Sequence, residues 1–321
     1  MTTGNINRAP AKWAFFTLLT ALIGLAGIFL SPLYFMAMLV FPLPVILMSL
    51  RFDTRYSLLG LAAAGFLMLL VTPYKTAVFI LVFQYGLLGV IYGLLFKNRA
   101  SSGQSIALGV AGAVALSLII PALIFVLSGE NLFALGEEGR RVAEQWVAAN
   151  QSAGAFNNLP LQWREDMGEH VIAIFEMLMP GQQIITAAIA AIITYFLARV
   201  VLSRINFKLP PAPVFTRMFY PWYSVWGLIA GLALTMAGDH FSLMLAAKVG
   251  KNILLILFYA YLLLGLSVAV YYFRKISLAW PFKVLFLLLA AAYMPVSVLF
   301  ILLLGIIDPL VNLRRLPETK G

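Results

Sequence analysis

Between Ser31 and Arg55 the chain reads SPLYFMAMLVFPLPVILMSLRFDTR, an almost wholly apolar run that holds two prolines and stops at two arginines. About twenty such residues, each rising about 1.5 Å, cross the ~30 Å hydrocarbon core of a bilayer. No water is present there to satisfy the backbone, so the run must be helical. Pro42 and Pro44 fall in its middle, and each removes a backbone donor and crowds the carbonyl four residues earlier, which predicts a bent or locally opened helix. In lipid such an opening persists only where neighbouring helices or a cavity cover it, so this span belongs in the interior of a bundle. Pro42 and Pro44 are therefore structural residues.

Composition extends this inference to the whole chain. Of 321 residues, 63% are apolar and 11% charged, and the mean hydropathy is +0.97, far from the soluble norm of about 25% charged residues. The net charge of +10 does not indicate nucleic acid, because its distribution is uneven. The stretch from Ser128 to Pro180 holds eight of the twelve acids and three of the 22 bases. The other bases sit in short loops, where they set orientation and meet anionic headgroups. The absence of cysteine excludes disulfides, thiolate catalysis and cysteine zinc sites.

Six spans are expected before residue 205: Trp13–Leu30, the run after Ser31, Tyr56–Val71, a fourth ending near Phe96, Ile106–Leu127 and Gln182–Leu202. The first has basic residues before it like a secretory signal, but it is long and lacks an A-x-A cleavage site, so it reads as a retained span. Arg8/Lys12, Arg51/Arg55, Lys97/Arg99 and Arg199/Arg204/Lys208 then fall on one side, which predicts a cytoplasmic N-terminus and an external acidic loop over 128–180. Residues 1–205 form one expected region. Residues 206–321 form a second, with the Pro-rich linker NFKLPPAPVFTRMFYP, an aromatic belt and further spans over Trp222–Ala237, Asn252–Phe273 and Phe282–Ile307. Nine crossings would put Arg314, Arg315 and Lys320 outside, against the rule that Arg274, Lys275 and Lys283 obey. Either the tail breaks the rule or Pro295 splits the last segment in two.

Glycines recur at helical spacing, at Gly86, Gly89 and Gly93, at Gly109 and Gly112, and at Gly227 and Gly231, as expected where helices pack closely inside a bundle or a dimer. In the acidic loop Trp163, Met167, Val171, Ile174, Phe175 and Leu178 share one helical face, and Pro180-Gly181 closes the pattern. A shorter helix over Glu137–Ala149 would turn Val142 and Trp146 inward. Such helices either cap the bundle or form a lid over an external cavity.

Motifs for catalysis are missing. The chain has no P-loop, no H-E-x-x-H and no G-x-S-x-G, and its two histidines, His170 and His240, lie far apart, so neither a metal, a cofactor nor an enzymatic reaction is expected. No Asp, Glu, Lys or Arg lies near the middle of the first eight spans, which argues against proton-coupled antiport. Polar groups collect towards the external ends: Tyr34, Tyr74, Lys75, Gln84, Gln182, Gln183 and Thr186. They could line a solute pocket, or serve as inter-helix hydrogen bonds and a snorkelling lysine. Asp308 precedes Arg314 by six residues, which suggests a salt bridge or cap at the membrane boundary.

Two stretches, FPLPVILMSLRFDTRYSLLGLAAAG (Phe41 to Gly65) and LLGIIDPLVNLRR with its Gly305, Asp308 and Arg314, resemble the YybS-like family of bacterial membrane proteins. That family is in turn similar to the S components of energy-coupling-factor transporters. The resemblance implies a six-helix, S-component-like core with added C-terminal helices, in the bacterial cytoplasmic membrane. S components commonly carry A-x-x-x-A in the first helix, whereas this chain offers only Gly24 and Gly27 there. The expectation is thus an all-α polytopic bundle of eight to nine apolar segments, with amphipathic helices in an external loop. It would bind or pass a small solute without its own ATPase. The alternative is an envelope scaffold whose partners are the bilayer and other membrane proteins.

Overall fold

The computed structural model describes residues 8–154, 167–277 and 279–316, and every element among them is a helix. Eight helices are long and apolar enough to cross a membrane, and the polytopic helical bundle expected from hydropathy is the architecture found. The chain divides into two compact units, residues 1–136 with 183–212 and residues 137–182 with 213–321. The acidic segment from Glu137 onward thus groups with the C-terminal spans, where chain order alone attaches it to the first six.

In the first unit α1 (Arg8–Phe29) is followed by a tight turn over Ser31–Leu33, then by α2 (Tyr34–Val40) and α3 (Pro42–Arg51), which meet at Phe41. Pro42 and Pro44 cannot donate to the carbonyls of Met38 and Val40, so the span opens where the sequence places them. Thr194, from a neighbouring helix, donates to the Leu39 carbonyl, between those two, at 3.4 Å. After α4 (Thr54–Val71) comes α5 (Lys75–Ile80), which passes through a widened π turn over Leu81–Gly86 into α6 (Leu87–Lys97). α7 (Ser102–Ser128) starts with a capping box between Ser101 and Gln104 and stops at Gly129, whose φ of 74° suits a residue without Cβ.

Two buried apolar clusters fill this unit, one around Phe41, Val45, Met48, Met68 and Leu81, the other around Ile46, Leu88, Tyr92 and Tyr195. Helix contacts within the unit use the glycines singled out above. A Cβ at Gly89 would meet the Pro42 carbonyl at 2.8 Å, and one at Gly93 would collide with Ser49. Gly109 is likewise closed off by the Tyr92 ring.

α8 (Glu137–Ser152) lies in the second unit, and α9 (Met167–Arg204) begins there and completes the first. Both depart from expectation. In α8 the inward residues are Ala143 and Val147, while Val142 and Trp146 are more than half exposed. The buried face is thus rotated by one residue from the expected one. α9 does not stop at Pro180-Gly181 but runs through it for 38 residues, so Gln182, Gln183 and Thr186 lie within a helix instead of opening one. Trp163 lies outside the described residues. Of the remaining apolar stripe, Ile174 and Phe175 are about half exposed, whereas Ile172, off the stripe, is buried.

The C-terminal spans are α10 (Val225–His240), α11 (Met244–Lys275), α12 (Trp280–Ala292) and α13 (Met294–Val311). α10 and α11 run antiparallel, with Gly227 beside Leu257, Gly231 beside Leu254 and Gly238 against Ala247. Of the two readings left open for Phe282–Ile307, the split at Pro295 is the one found: two helices meet at Tyr293, because Pro295 suits the first turn of a new helix and not the interior of an old one. α11 and α13 cross in parallel. Gly265 lies on the Ile301 carbonyl, Gly305 lies on the Tyr261 carbonyl, and the Tyr272 hydroxyl donates to the Leu313 carbonyl at 2.7 Å. α12 must therefore carry the chain back between them, although its 13 residues span only about 20 Å.

Candidate functional site

Two polar regions stand out, one at each end of the helices. The first is at the end of the first unit that carries the Ser31–Leu33 turn. Tyr34 opens α2 and packs half-buried against the cluster that contains Phe41 and Tyr85. Tyr74 and Lys75 open α5 and are exposed. Next to them, the Thr76 hydroxyl donates to Glu130 at 2.8 Å. The Gln183 amide donates to the Leu132 carbonyl at 2.6 Å, which ties α9 to the segment that follows α7. Four of the six candidate residues, Tyr34, Tyr74, Lys75 and Gln183, thus share one end of the unit. Gln182 is exposed and groups with the second unit.

Gln84 lies deeper, on the π turn, half-buried, and its side chain has no hydrogen-bond partner among the described residues. A π turn inserts one extra residue into a helix, which displaces side chains from the regular face and recurs at binding sites. This one packs against α2 and α3, the two halves of the proline-opened span. Two backbone irregularities therefore lie side by side in this unit, with the half-buried Gln84 on the second of them. Gly24 and Gly27 of α1 are closed off by Met68 and Ala37, so both are used within the bundle.

The second region is the Pro-rich linker. A proline-rich backbone forms no ladder of its own, so its carbonyls need outside donors. In the first unit Arg199 supplies them, with Nη1 donating to the Pro210 carbonyl at 2.7 Å and to the Tyr195 hydroxyl at 3.1 Å, while the Ser102 hydroxyl donates to the Pro211 carbonyl at 2.7 Å. In the second unit an arginine and a serine do the same for the next stretch. Arg314 Nη1 donates to the Thr216 carbonyl and to Ser267 Oγ, both at 2.8 Å, and Nη2 donates to the Met218 carbonyl. Ser267 in turn donates to the Phe215 carbonyl at 2.7 Å.

Asp308 balances the Arg314 charge through a contact of 2.7 Å, and the two side chains are 2% and 0% exposed. A geometric reason brings them together. Asn312 ends α13 in the left-handed region, at φ 48°, and its side chain bonds Leu316 from both amide atoms, so the chain turns back and aims Arg314 at Asp308. Tyr220, at the end of the linker, is raised in pKa by burial and by Tyr261 beside it. The sequence pairs Asp308 with Arg314 by proximity, but gives no sign of Ser267 or Thr216, which lie 47 and 98 positions from Arg314. Among the described residues no cluster of His, Asp and Glu could hold a metal ion.

Long apolar helices in each of the two units characterise an integral membrane protein of the polytopic helical class. The family model described as "Predicted membrane protein (DUF2232)" matches residues 18–309, and the chain belongs to that family. No curated protein and no solved structure matches it.

Proposed function

We propose that the protein binds a small, polar or amphipathic solute at the Tyr34 end of its first unit and does so without catalysis or ATP hydrolysis of its own. The observation that carries this reading is Gln84, a half-buried amide on a π turn with no protein partner, set against the proline-opened span. The amide is half-buried and still reachable, so a solute that bonds it would gain a hydrogen bond worth about 0.5–1.5 kcal/mol. Tyr34, Tyr74, Lys75 and Gln183 would meet the solute nearer the surface. The resemblance to YybS-like proteins and S components supports the same reading. With Gly24 and Gly27 used inside the bundle, docking of an energising subunit through a small-residue face on α1 is not part of it. The base-rich linker end is assigned to the cytoplasm of a bacterial cytoplasmic membrane, which puts the N-terminus inside and the Tyr34 end outside.

The test is the melting of purified protein against a panel of small solutes. A true ligand at 100 times its Kd stabilises by about 2.7 kcal/mol. Gln84→Leu should lose that stabilisation while the ligand-free protein melts no earlier than wild type. A panel that never stabilises the wild type, or a leucine variant that responds in full, contradicts the proposal. The scaffold reading rests on a different observation, the two buried apolar clusters that fill the first unit, and it predicts the first of those contrary results.

A further inference from the structure

Asn252 of α11 is 8% exposed, in a helix of mean composition otherwise suited to lipid, and all its polar atoms are spent on helix backbone. Its amide nitrogen donates to the Met177 carbonyl at 2.8 Å and to the Lys248 carbonyl at 2.7 Å, and its amide oxygen accepts the Gly181 N–H at 2.6 Å. Gly181 N–H and Met177 C=O are the pair that a regular helix joins to each other. One side chain therefore bridges both ends of a single rung of α9.

Three residues converge on that turn. Pro180 has no N–H, which leaves the Glu176 carbonyl without its helical donor. Gly181 has no side chain, and a Cβ there would meet Asn252 Oδ1 at 2.6 Å, so only glycine admits the amide. Asn252 supplies one acceptor and two donors at the right place. Side chains that enter the hydrogen-bond ladder in this way are a recognised cause of helix kinks. The division of the chain into two units falls within α9 one residue further on, between Gln182 and Gln183.

We propose that α9 is hinged at Pro180-Gly181 and that the Asn252 side chain is the wedge that keeps the hinge open. The segment from Met167 to Met179 then bends as one piece about the turn, while the remainder of the helix keeps its own packing. With the wedge gone, the 181-to-177 bond closes on itself and the helix stiffens.

The chain has no cysteine, so spin labels can be placed at will. Ile174→Cys with Ile189→Cys brackets the hinge at exposed positions, and Ile189→Cys with Ser203→Cys is a control of nearly equal spacing in uninterrupted helix. Electron–electron resonance on the full chain in lipid should give a distance distribution at least twofold broader for the first pair than for the control. Asn252→Leu and Gly181→Ala, which expel the amide by different routes, should each narrow it to the control width. If one variant does not fold, the other carries the comparison. A wild-type distribution as narrow as the control, or variants that leave the width unchanged, would overturn the hinge.

Discussion

Arg314 and Asp308 form the most heavily bonded charged pair among the described residues, and their burial decides how they should respond to mutation. An isolated buried charge is costly, and breaking a buried pair by removing one member typically costs about 3–5 kcal/mol. Asp308→Asn should therefore lower the unfolding midpoint sharply, by an amount in that range, because Arg314 stays buried without its counter-charge. The same substitution made with Arg314→Met should cost less than the single change, since no buried charge then remains unpaired. Chemical or thermal unfolding in detergent measures both, and equal losses would mean that the pair is solvated in solution. Half of this cluster was legible in the sequence. Asp308 and Arg314 stand six residues apart beside a chain-reversing Asn312, but Ser267 and the Thr216 and Met218 carbonyls reach Arg314 only through tertiary structure. Asn252 was illegible for the same reason, as a lone amide in an apolar helix carries no spacing signal.

Helices were legible as far as their periodicity was, and the departures trace to competition between local rules and packing. Pro42 and Pro44 open their span as local chemistry dictates, whereas Pro180 does not end its helix, which runs on through a turn whose Gly181 N–H and Met177 carbonyl are bonded by Asn252. The buried face of α8 differs from the expected one by one residue, with Ala143 and Val147 buried in place of Val142 and Trp146, and one valine cannot be told from the other by hydropathy. The glycine runs were visible, but the tightest crossing uses Gly265 and Gly305, single glycines forty residues apart with no repeat to mark them. Gly305→Ala tests that crossing. Its Cβ would collide with the Tyr261 carbonyl, so α11 and α13 must separate, and overpacking of this kind typically costs about 1–3 kcal/mol. Unfolding of the alanine variant at the wild-type midpoint would mean that the two helices do not touch there.

The conflict in the membrane topology is resolved by the pairing of whole helices. Within the second unit α10 leaves the linker end, α11 returns, α12 leaves and α13 returns, and the tail is held there by Tyr272 and Arg314. Arg274, Lys275, Lys283, Arg314 and Arg315 consequently share one end with the linker, as the positive-inside rule prefers, while Lys248 and Lys251 lie at the other end, where Lys251 pairs with Asp239 at 2.9 Å. The sequence offered this return through Pro295 as one of two readings, and hydropathy could not choose it because α12, at 13 residues, is too short to register as a separate crossing. In the first unit the six spans alternate in the same way, with the candidate solute residues at the end opposite the basic loops. Under the proposed function, with the basic loops cytoplasmic, Tyr34, Lys75 and Gln84 would face the external side. Reporter fusions placed after Lys97, Lys208 and Leu316 should all report cytoplasm, and one after Asn150 should report the external side. An external signal after Lys97 would invert the first unit and turn the site inward, and an external signal after Leu316 would contradict the return of α13 to the linker end.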